Sequence, residues 1–593
     1  MASEVQEAPR RALTIFLMGS GGDGVITAGE LLARAAAHDG LGCHLTKSFG
    51  PQIRGGESAV WLQVSADEVR SPAVSADVVM ALSWESFPRF AGQLDLSPGT
   101  LVLVDEADSK APDQIEDREG NPLTAVRVPI RRLAEEETGS QLGRNLVALG
   151  FLSALLGLPA ETIPQAIAKR LKKRGGTVVA NNVRAFERGQ ALAGESLYVA
   201  LGAKLARGDK RPRIFMSGND AVTLGALYSG VEFFAGYPIT PASEILSSLA
   251  AELPGIGGTV IQAEDEIAAM TMVIGASFGG KKAMTATSGP GLSLKTEAIG
   301  LAAHAEIPCV IVNVQRGGPS TGMPTMTEQA DIQLAVYGAH GDVPRVVIAA
   351  TDTRGCYEAT VKAFYLAERY QTPVIVLTDQ LIGHRLEALP ADSFEPHESF
   401  SKVNRRTVPE DNPTEPYKRY RLGRNPISPM SHPGIEGCAY RTSGIVHQEN
   451  GCPTSDAGIH HVMNEKRQRK MDMLLKEMGG FQVVGPDEAE FGIISWGSTS
   501  GAALDAAARL TARGRRTSVC IVELLHPLPA EGIAAYAAKR RHLAVAELSY
   551  SAQFARLLRS EGVPLLDALL IHRGGGHPLL ASEIERRLEE QFQ

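Results

Sequence analysis

The chain has 593 residues, 44% of them hydrophobic and 21% charged, and a formal net charge of -8. Such a length exceeds what one hydrophobic core supports and predicts three domains of an ordinary soluble globular protein. The negative balance argues against a nucleic-acid or anionic-membrane partner, since each needs a basic face. Six cysteines, Cys43, Cys309, Cys356, Cys438, Cys452 and Cys520, lie far apart with no C-x-x-C pair. That pattern fits a reducing cytoplasmic setting and offers no local iron–sulfur or zinc motif.

Arg10-Arg11 followed by Leu13 to Met18 superficially resembles an export signal, but the apolar run is too short and leads into Gly19-Ser20-Gly21-Gly22. It reads as a strand. GSGGDG is then a turn and Val25 to Ala37 an amphipathic helix. A strand, glycine turn and helix start can present N–H groups to a phosphate or carboxylate, or merely permit close helix–strand packing. Lys47 to Ser58 is a loop before a strand at Ala59 to Val64. Its Arg54 either grips an anion or pins its own loop. Val78 to Leu82 and Leu101 to Asp105 are further apolar strands, which together predict a parallel sheet flanked by helices. Leu146 to Leu158 is too short for a membrane span and reads as a buried helix, while Lys169 to Arg174 is a basic run solvating a helix end.

Residues 201–212 lose periodicity and mark a boundary. A second unit to about Leu389 alternates strand, glycine loop and helix: a Gly236-Tyr237-Pro238-Ile239-Thr240-Pro241 turn, an acidic helix start, and strands at Lys282 to Thr287, Cys309 to Val314, Pro344 to Ala350 and Pro373 to Thr378. From about 390 to 480, with Pro409, Pro413, Pro416, Pro426, Pro429 and Pro433, the sequence reads as an irregular linker or partner-wrapping arm. Phe481 to the end predicts a third, smaller α/β domain, with strands at Gly492 to Gly497, Val519 to Leu524 and Leu543 to Glu547. Asp567, His572 and His577 are assigned to turns or helix ends.

GYPITP, EDEIAAMTMVIGAS, TSGPG and QRGGPSTGMPT, in this order, resemble the α subunit of 2-oxoacid:ferredoxin oxidoreductases. The amino-terminal GSGGDGVITAGELLARAA with GPQIRGGES is similar to that family's γ domain, fused ahead of the α part. Gly444 to Thr454, followed by Glu465 to Lys470, resembles the subgroup acting on 2-oxoglutarate. The resemblance implies three α/β domains: a γ-type domain at 1–200, a thiamine-diphosphate pyrimidine-binding domain at 201–390 and, after an arm at 391–480, a transketolase carboxy-terminal-like domain at 481–593. It implies oxidative decarboxylation of a 2-oxoacid to its acyl-CoA with electrons passed to ferredoxin. It also implies a β subunit that holds the diphosphate, its Mg²⁺ and a [4Fe–4S] cluster, in an (αβ)2 heterotetramer. The family's diphosphate motif needs Gly-Asp-Gly and an asparagine roughly 25 to 30 residues on, because Mg²⁺ takes oxygen ligands at fixed geometry. Gly22-Asp23-Gly24 has the first part, yet no asparagine precedes Asn121, so the match is a decoy. Asp23 also stands where the γ family has glutamine, which weighs against a simple anion-binding loop.

Thiamine becomes a carbon nucleophile when a carboxylic acid hydrogen-bonded to ring N1′ drives the aminopyrimidine to its imino tautomer. Glu264 and Glu266 are the candidates. Thiamine enzymes place a glycine nine residues after this acid, where the helix packs on its neighbour, and Glu266 to Gly275 has that spacing. Glu266 is therefore assigned as the catalytic acid and Glu264 as a rim carboxylate; capping of a helix amino terminus is the bland alternative. By the same resemblance Thr240 places its hydroxyl near the reacting carbonyl, and Tyr237, Pro238 and Ile239 wall the coenzyme. Arg316 pairs with the 2-oxoacid carboxylate and Thr325 adds a hydrogen bond to the substrate. Arg316 pinning its Gly-Gly loop is the alternative. A pyruvate or broad-range 2-oxoacid enzyme, or a non-catalytic scaffold of the same fold, stands beside the 2-oxoglutarate reading.

Overall fold

The computed structural model describes residues 10–49, 56–73, 75–195, 198, 205–394, 404–405 and 416–592. The loop centred on Arg54, and Pro409 and Pro413 of the arm, lie outside the described residues. The chain forms two compact units, 1–216 with 385–395, and 217–384 with 396–593.

In the first unit the strand Ala12–Gly19 is apolar from Leu13 to Met18 and buried throughout that run. Both its faces are covered, so the residues do not alternate. It leads through the GSGGDG turn to the helix Val25–His38. The sheet has nine strands, and it is mixed rather than parallel. Ala12–Gly19, Val78–Ala81, Leu101–Asp105 and Pro122–Val128 are parallel. Ser58–Ser65 pairs antiparallel with both Ala12–Gly19 and Gly42–Phe49. The short stretch between Phe49 and Ser58 is the reason, because a parallel neighbour needs a crossover of a dozen residues or more. Leu386–Pro390, at the end of the segment read from sequence as the second, pairs antiparallel with Gly42–Phe49. The basic run ends the helix Ile163–Leu171 and its charged side chains are exposed.

The second unit contains two sheets around one core. The larger has the order Thr259–Gln262, Phe233–Gly236, Ala283–Thr287, Cys309–Gln315, Pro373–Asp379, Val346–Ala349, Leu524–His526, and all pairings but the last are parallel. The smaller has five strands, with Phe491–Ser495 at its centre and Phe481–Val484 as its antiparallel edge. Ile311 and Ile375 of one sheet and Trp496, Cys520 and Val545 of the other belong to the same hydrophobic cluster. Gln329 ties the carboxy-terminal strands to the larger sheet: its Nε2 donates to Trp496 O at 2.9 Å and its Oε1 accepts from Leu548 N at 2.8 Å.

The arm is not wholly irregular. It carries a 22-residue helix, Ala457–Met478, capped by Asp456, whose carboxylate accepts from Ile459 N at 2.8 Å. Its buried face is Met463, Lys466, Arg467, Lys470, Met471 and Leu474, at helical spacing but half charged, so an apolar-period search misses it. The cations are paid back by Glu306, which lies 2.6 Å from Lys466 Nζ and 2.5 Å from Lys470 Nζ. No helix among the described residues is long and apolar enough to cross a membrane.

Candidate active site

Parallel strands deliver their following loops and helix starts to one edge of a sheet, which is where α/β proteins build sites. Here that edge gathers the turn after Phe233–Gly236, the start of the helix Glu266–Phe278, the start of the helix Gly289–His304 and the loop after Cys309–Gln315.

Asp265 caps the first of these helices, its Oδ1 accepting from Ala268 N at 2.8 Å. The cap sets the phase of the helix: Glu266 is the first helical residue and is buried, while Glu264 and Asp265 are exposed. Above the Glu266 carboxyl lies the first turn of the Gly289 helix. A Cβ on Gly291 would stand 2.9 Å from Glu266 Oε1 and 2.1 Å from Thr287 Oγ1, so only glycine fits there. Gly275 behaves otherwise than the spacing argument assumes. It is exposed, and a Cβ built on it meets nothing within 4 Å among the described residues.

The GYPITP turn is held by Ala242 N donating to Ile239 O at 2.8 Å and by Asn219 Nδ2 donating to Pro241 O at 2.8 Å. Tyr237, Pro238 and Thr240 are exposed and Ile239 is half-buried. Arg316, 6% exposed, reaches the turn: its Nη1 donates to Thr240 O at 2.5 Å. The structure thus joins Thr240 to Arg316 through the threonine carbonyl, leaving its side chain on the surface. Arg316 Nε is buried and has no hydrogen-bond partner among the described residues. Burial lowers the Arg316 pKa, and Asp331 opposes the shift. Thr325 is exposed on the glycine-rich loop and does not line the cavity described next.

Arg316 and the following Gly317-Gly318-Pro319-Ser320 open onto a cavity of about 1000 Å³. Gly289 and Pro290 form another part of its wall, and Asp331, Tyr550 and His572 also line it. Sequence reasoning missed Asp331 and assigned His572 to a turn or helix end. His572 instead closes the strand Leu569–His572, with its Nδ1 3.1 Å from Tyr550 O. Asp331 receives a 2.9 Å hydrogen bond from Asn313 Nδ2. Burial pushes its carboxyl up to about 6, against the pull of that bond and of Arg316. A second omission is Lys295, fully buried, whose Nζ donates to Glu266 O at 2.9 Å. A signal for it exists: Gly291, Lys295, Ala298 and Ala302 recur on the buried face of one helix.

In the first unit the Gly22-Asp23-Gly24 turn is satisfied internally. Asp23 accepts from Ser20 N at 2.8 Å and pairs with Arg144.

Residues 224–466 match the family described as pyruvate flavodoxin/ferredoxin oxidoreductase, thiamine-diphosphate-binding, and residues 14–192 match pyruvate ferredoxin/flavodoxin oxidoreductase. The chain is 30% identical to subunit alpha of 2-oxoacid:ferredoxin oxidoreductase 2 from Aeropyrum pernix, over 96% of each chain. It is 38% identical to the 2-oxoglutarate synthase subunit KorA of Archaeoglobus fulgidus, over 56% of this chain and 87% of the relative. Among solved structures, it is 37% identical to a 2-oxoglutarate:ferredoxin oxidoreductase from Magnetococcus marinus with 2-oxoglutarate, coenzyme A and succinyl-CoA bound, at a TM-score of 0.91 over 98% of this chain and all of the other. Likeness of this extent, carried by a site that offers one buried carboxyl and one buried arginine at the same sheet edge, makes the chain a member of the 2-oxoacid:ferredoxin oxidoreductase family, an α subunit with a thiamine-diphosphate-binding domain.

Proposed function

We propose that the chain is the α subunit of a 2-oxoglutarate:ferredoxin oxidoreductase, which interconverts 2-oxoglutarate and CoA with succinyl-CoA and CO2 and exchanges electrons with ferredoxin. The observation that carries the reading is Arg316: a buried guanidinium, satisfied on one side by Thr240 O, that faces a cavity roomy enough for an organic acid. The likeness to the Magnetococcus marinus enzyme over almost the whole chain supports it, as do the KorA relatives.

The residues fit one end of thiamine diphosphate. The Glu266 carboxyl lies against Gly291, where a Cβ would fill the space beside it, leaving room for an aminopyrimidine. Bound, the coenzyme supplies the carbon nucleophile and the electron sink for decarboxylation. Glu266 holds a proton at its carboxyl for the ring nitrogen. Tyr237, Pro238 and Ile239 wall the ring, and the Thr240 hydroxyl faces the reacting carbonyl. Arg316 binds and orients the α-carboxylate until it leaves as CO2, and Thr325 adds a hydrogen bond to the substrate. A β subunit supplies the diphosphate and Mg²⁺ site and the [4Fe–4S] cluster, in an (αβ)2 assembly in the cytoplasm.

The Aeropyrum pernix relative, named only for 2-oxoacids, favours a second reading as a broad-range or pyruvate enzyme. Steady-state turnover of the reconstituted complex, with ferredoxin as acceptor, decides. A kcat/KM for 2-oxoglutarate at least tenfold above that for pyruvate is expected; the reverse order refutes the 2-oxoglutarate assignment.

A further inference from the structure

Arg316 does not face its cavity alone. Asp331 lines the same space and is fixed twice: Asn313 Nδ2 donates to its Oδ2 at 2.9 Å, and its own N–H donates to Gln315 Oε1 at 3.0 Å. Both anchors belong to the strand Cys309–Gln315, which leads directly into Arg316. One rigid element therefore holds the carboxyl and the guanidinium on a common wall. Asp331 Oδ1 accepts no hydrogen bond among the described residues. Gly289, also in the wall, leaves the approach to that carboxyl open, since a Cβ there would stand 3.3 Å from Oδ2 and 3.4 Å from Oδ1.

The charges around Asp331 decide what the cavity can hold. Burial pushes its carboxyl up to about 6; the Asn313 bond and then Arg316 oppose that, and Glu328 adds to it. Glu328 lines the cavity too, with Gly575 N donating to its Oε1 at 2.9 Å. Arg573 is tied to Glu583 at 3.2 Å, and Tyr550 and His572 are the other ionisable side chains in the wall. With Asp331 and Glu328 both ionised, Arg316 is outnumbered and an incoming carboxylate is repelled. A proton on Asp331 removes one of those charges and turns an acceptor into a donor.

We propose that the Arg316 cavity takes its carboxylate ligand together with one proton: Asp331 accepts the proton from solvent on Oδ1 and donates it as a hydrogen bond to the ligand, while Arg316 balances the ligand's charge. No bond of the ligand breaks in this step. By linkage, affinity for the ligand falls as pH rises through the range in which free Asp331 ionises. That the ligand is a 2-oxoacid held at Arg316 rests on the function proposed above.

The test is equilibrium dialysis of radiolabelled 2-oxoglutarate, with pyruvate in parallel, against the assembled complex freed of coenzyme. Both acids are fully ionised between pH 6 and pH 8, so a pH response belongs to the protein. The wild type should bind about tenfold more tightly at pH 6 than at pH 8, the scale of coupling between two carboxyl groups that share a site. D331N presents an amide donor at every pH, so its affinity should be equal at both. In the loaded complex the ratio of kcat/KM, variant over wild type, should rise by the same factor from pH 6 to pH 8. Should D331N fail to assemble, D331S, which keeps an uncharged donor, carries the same measurements. The response with pyruvate and not with 2-oxoglutarate would refute the 2-oxoglutarate reading and leave the proton-linked site standing. Equal pH responses in wild type and variant, or binding of neither acid, would overturn the proposal.

Discussion

Glu266 and Arg316 differ in how far their surroundings commit them. Glu266→Gln keeps the volume and removes the exchangeable proton, so assembly and melting temperature should be unchanged while kcat falls about 10²–10⁴-fold, the usual worth of a positioned acid–base group. Retention of more than a tenth of wild-type turnover would refute its role. Arg316→Ala leaves the substrate carboxylate without its bidentate partner and should raise the 2-oxoacid KM and lower kcat/KM by about 10²-fold. An unchanged kcat/KM removes it from the site. Asp331 carries a pH signature of its own. Its carboxyl is raised to about 6 by burial, so the folded chain holds that proton over a range in which the unfolded chain has released it. Stability from this group is therefore full below about pH 4 and falls as pH rises through 6. Asp331→Asn should raise the melting temperature at pH 8, by about 1–3 kcal/mol of stability, and leave it unchanged at pH 4. Equal effects at both pH values would show that its charge is not strained.

At the scale of elements, the Ala457–Met478 helix is the clearest case of structure held by a few buried charges. Burial alone would raise the Glu306 carboxyl; Lys466, Lys470 and Arg419 overcome that and hold it far below the usual carboxylate range. The stability it contributes is present above the ordinary carboxylate pKa and is lost as pH falls below it. Removing the anion strands the cations, which costs more than the pair itself contributes, about 3–5 kcal/mol. Glu306→Gln should accordingly speed hydrogen exchange across 457–478 by more than tenfold while the sheet strands keep their protection. Unaltered exchange would mean that Met463, Met471 and Leu474 suffice. This element was illegible to a period search for apolar residues because the face it buries is written in lysine and arginine. Strand positions fared better: Leu13 to Met18, Cys309 to Val314 and Pro373 to Thr378 are short, mainly apolar runs bounded by turn residues, and each is a strand.

Across the whole molecule, chain order and spatial order part company at Leu386–Pro390, which follows the second sheet in sequence but joins the first. This strand sits between Gly42–Phe49 and Arg213–Ser217. It also brings Glu387, paired with Arg385 and 3.5 Å from His44, into the first unit. A fragment ending at residue 216 would leave a hydrophobic sheet edge and a buried histidine open. It should melt lower and aggregate more readily than the same fragment with 385–395 tethered to its end; equal melting would show the strand to be dispensable.

The order of strand, glycine turn and helix, the α/β class and the GYPITP, acidic-helix and Arg316 motifs all follow from local residue chemistry, which acts over a few positions and is therefore written along the chain. The hand of the Gly42–Phe49 pairing, the charged helix, the recruitment of Asp331 and His572 to the Arg316 cavity, and the ammonium of Lys295 beneath Glu266 depend on which distant segments meet. Burial is a property of the folded chain, and it is burial that turns an ordinary aspartate, lysine or arginine into a group with one partner and one task.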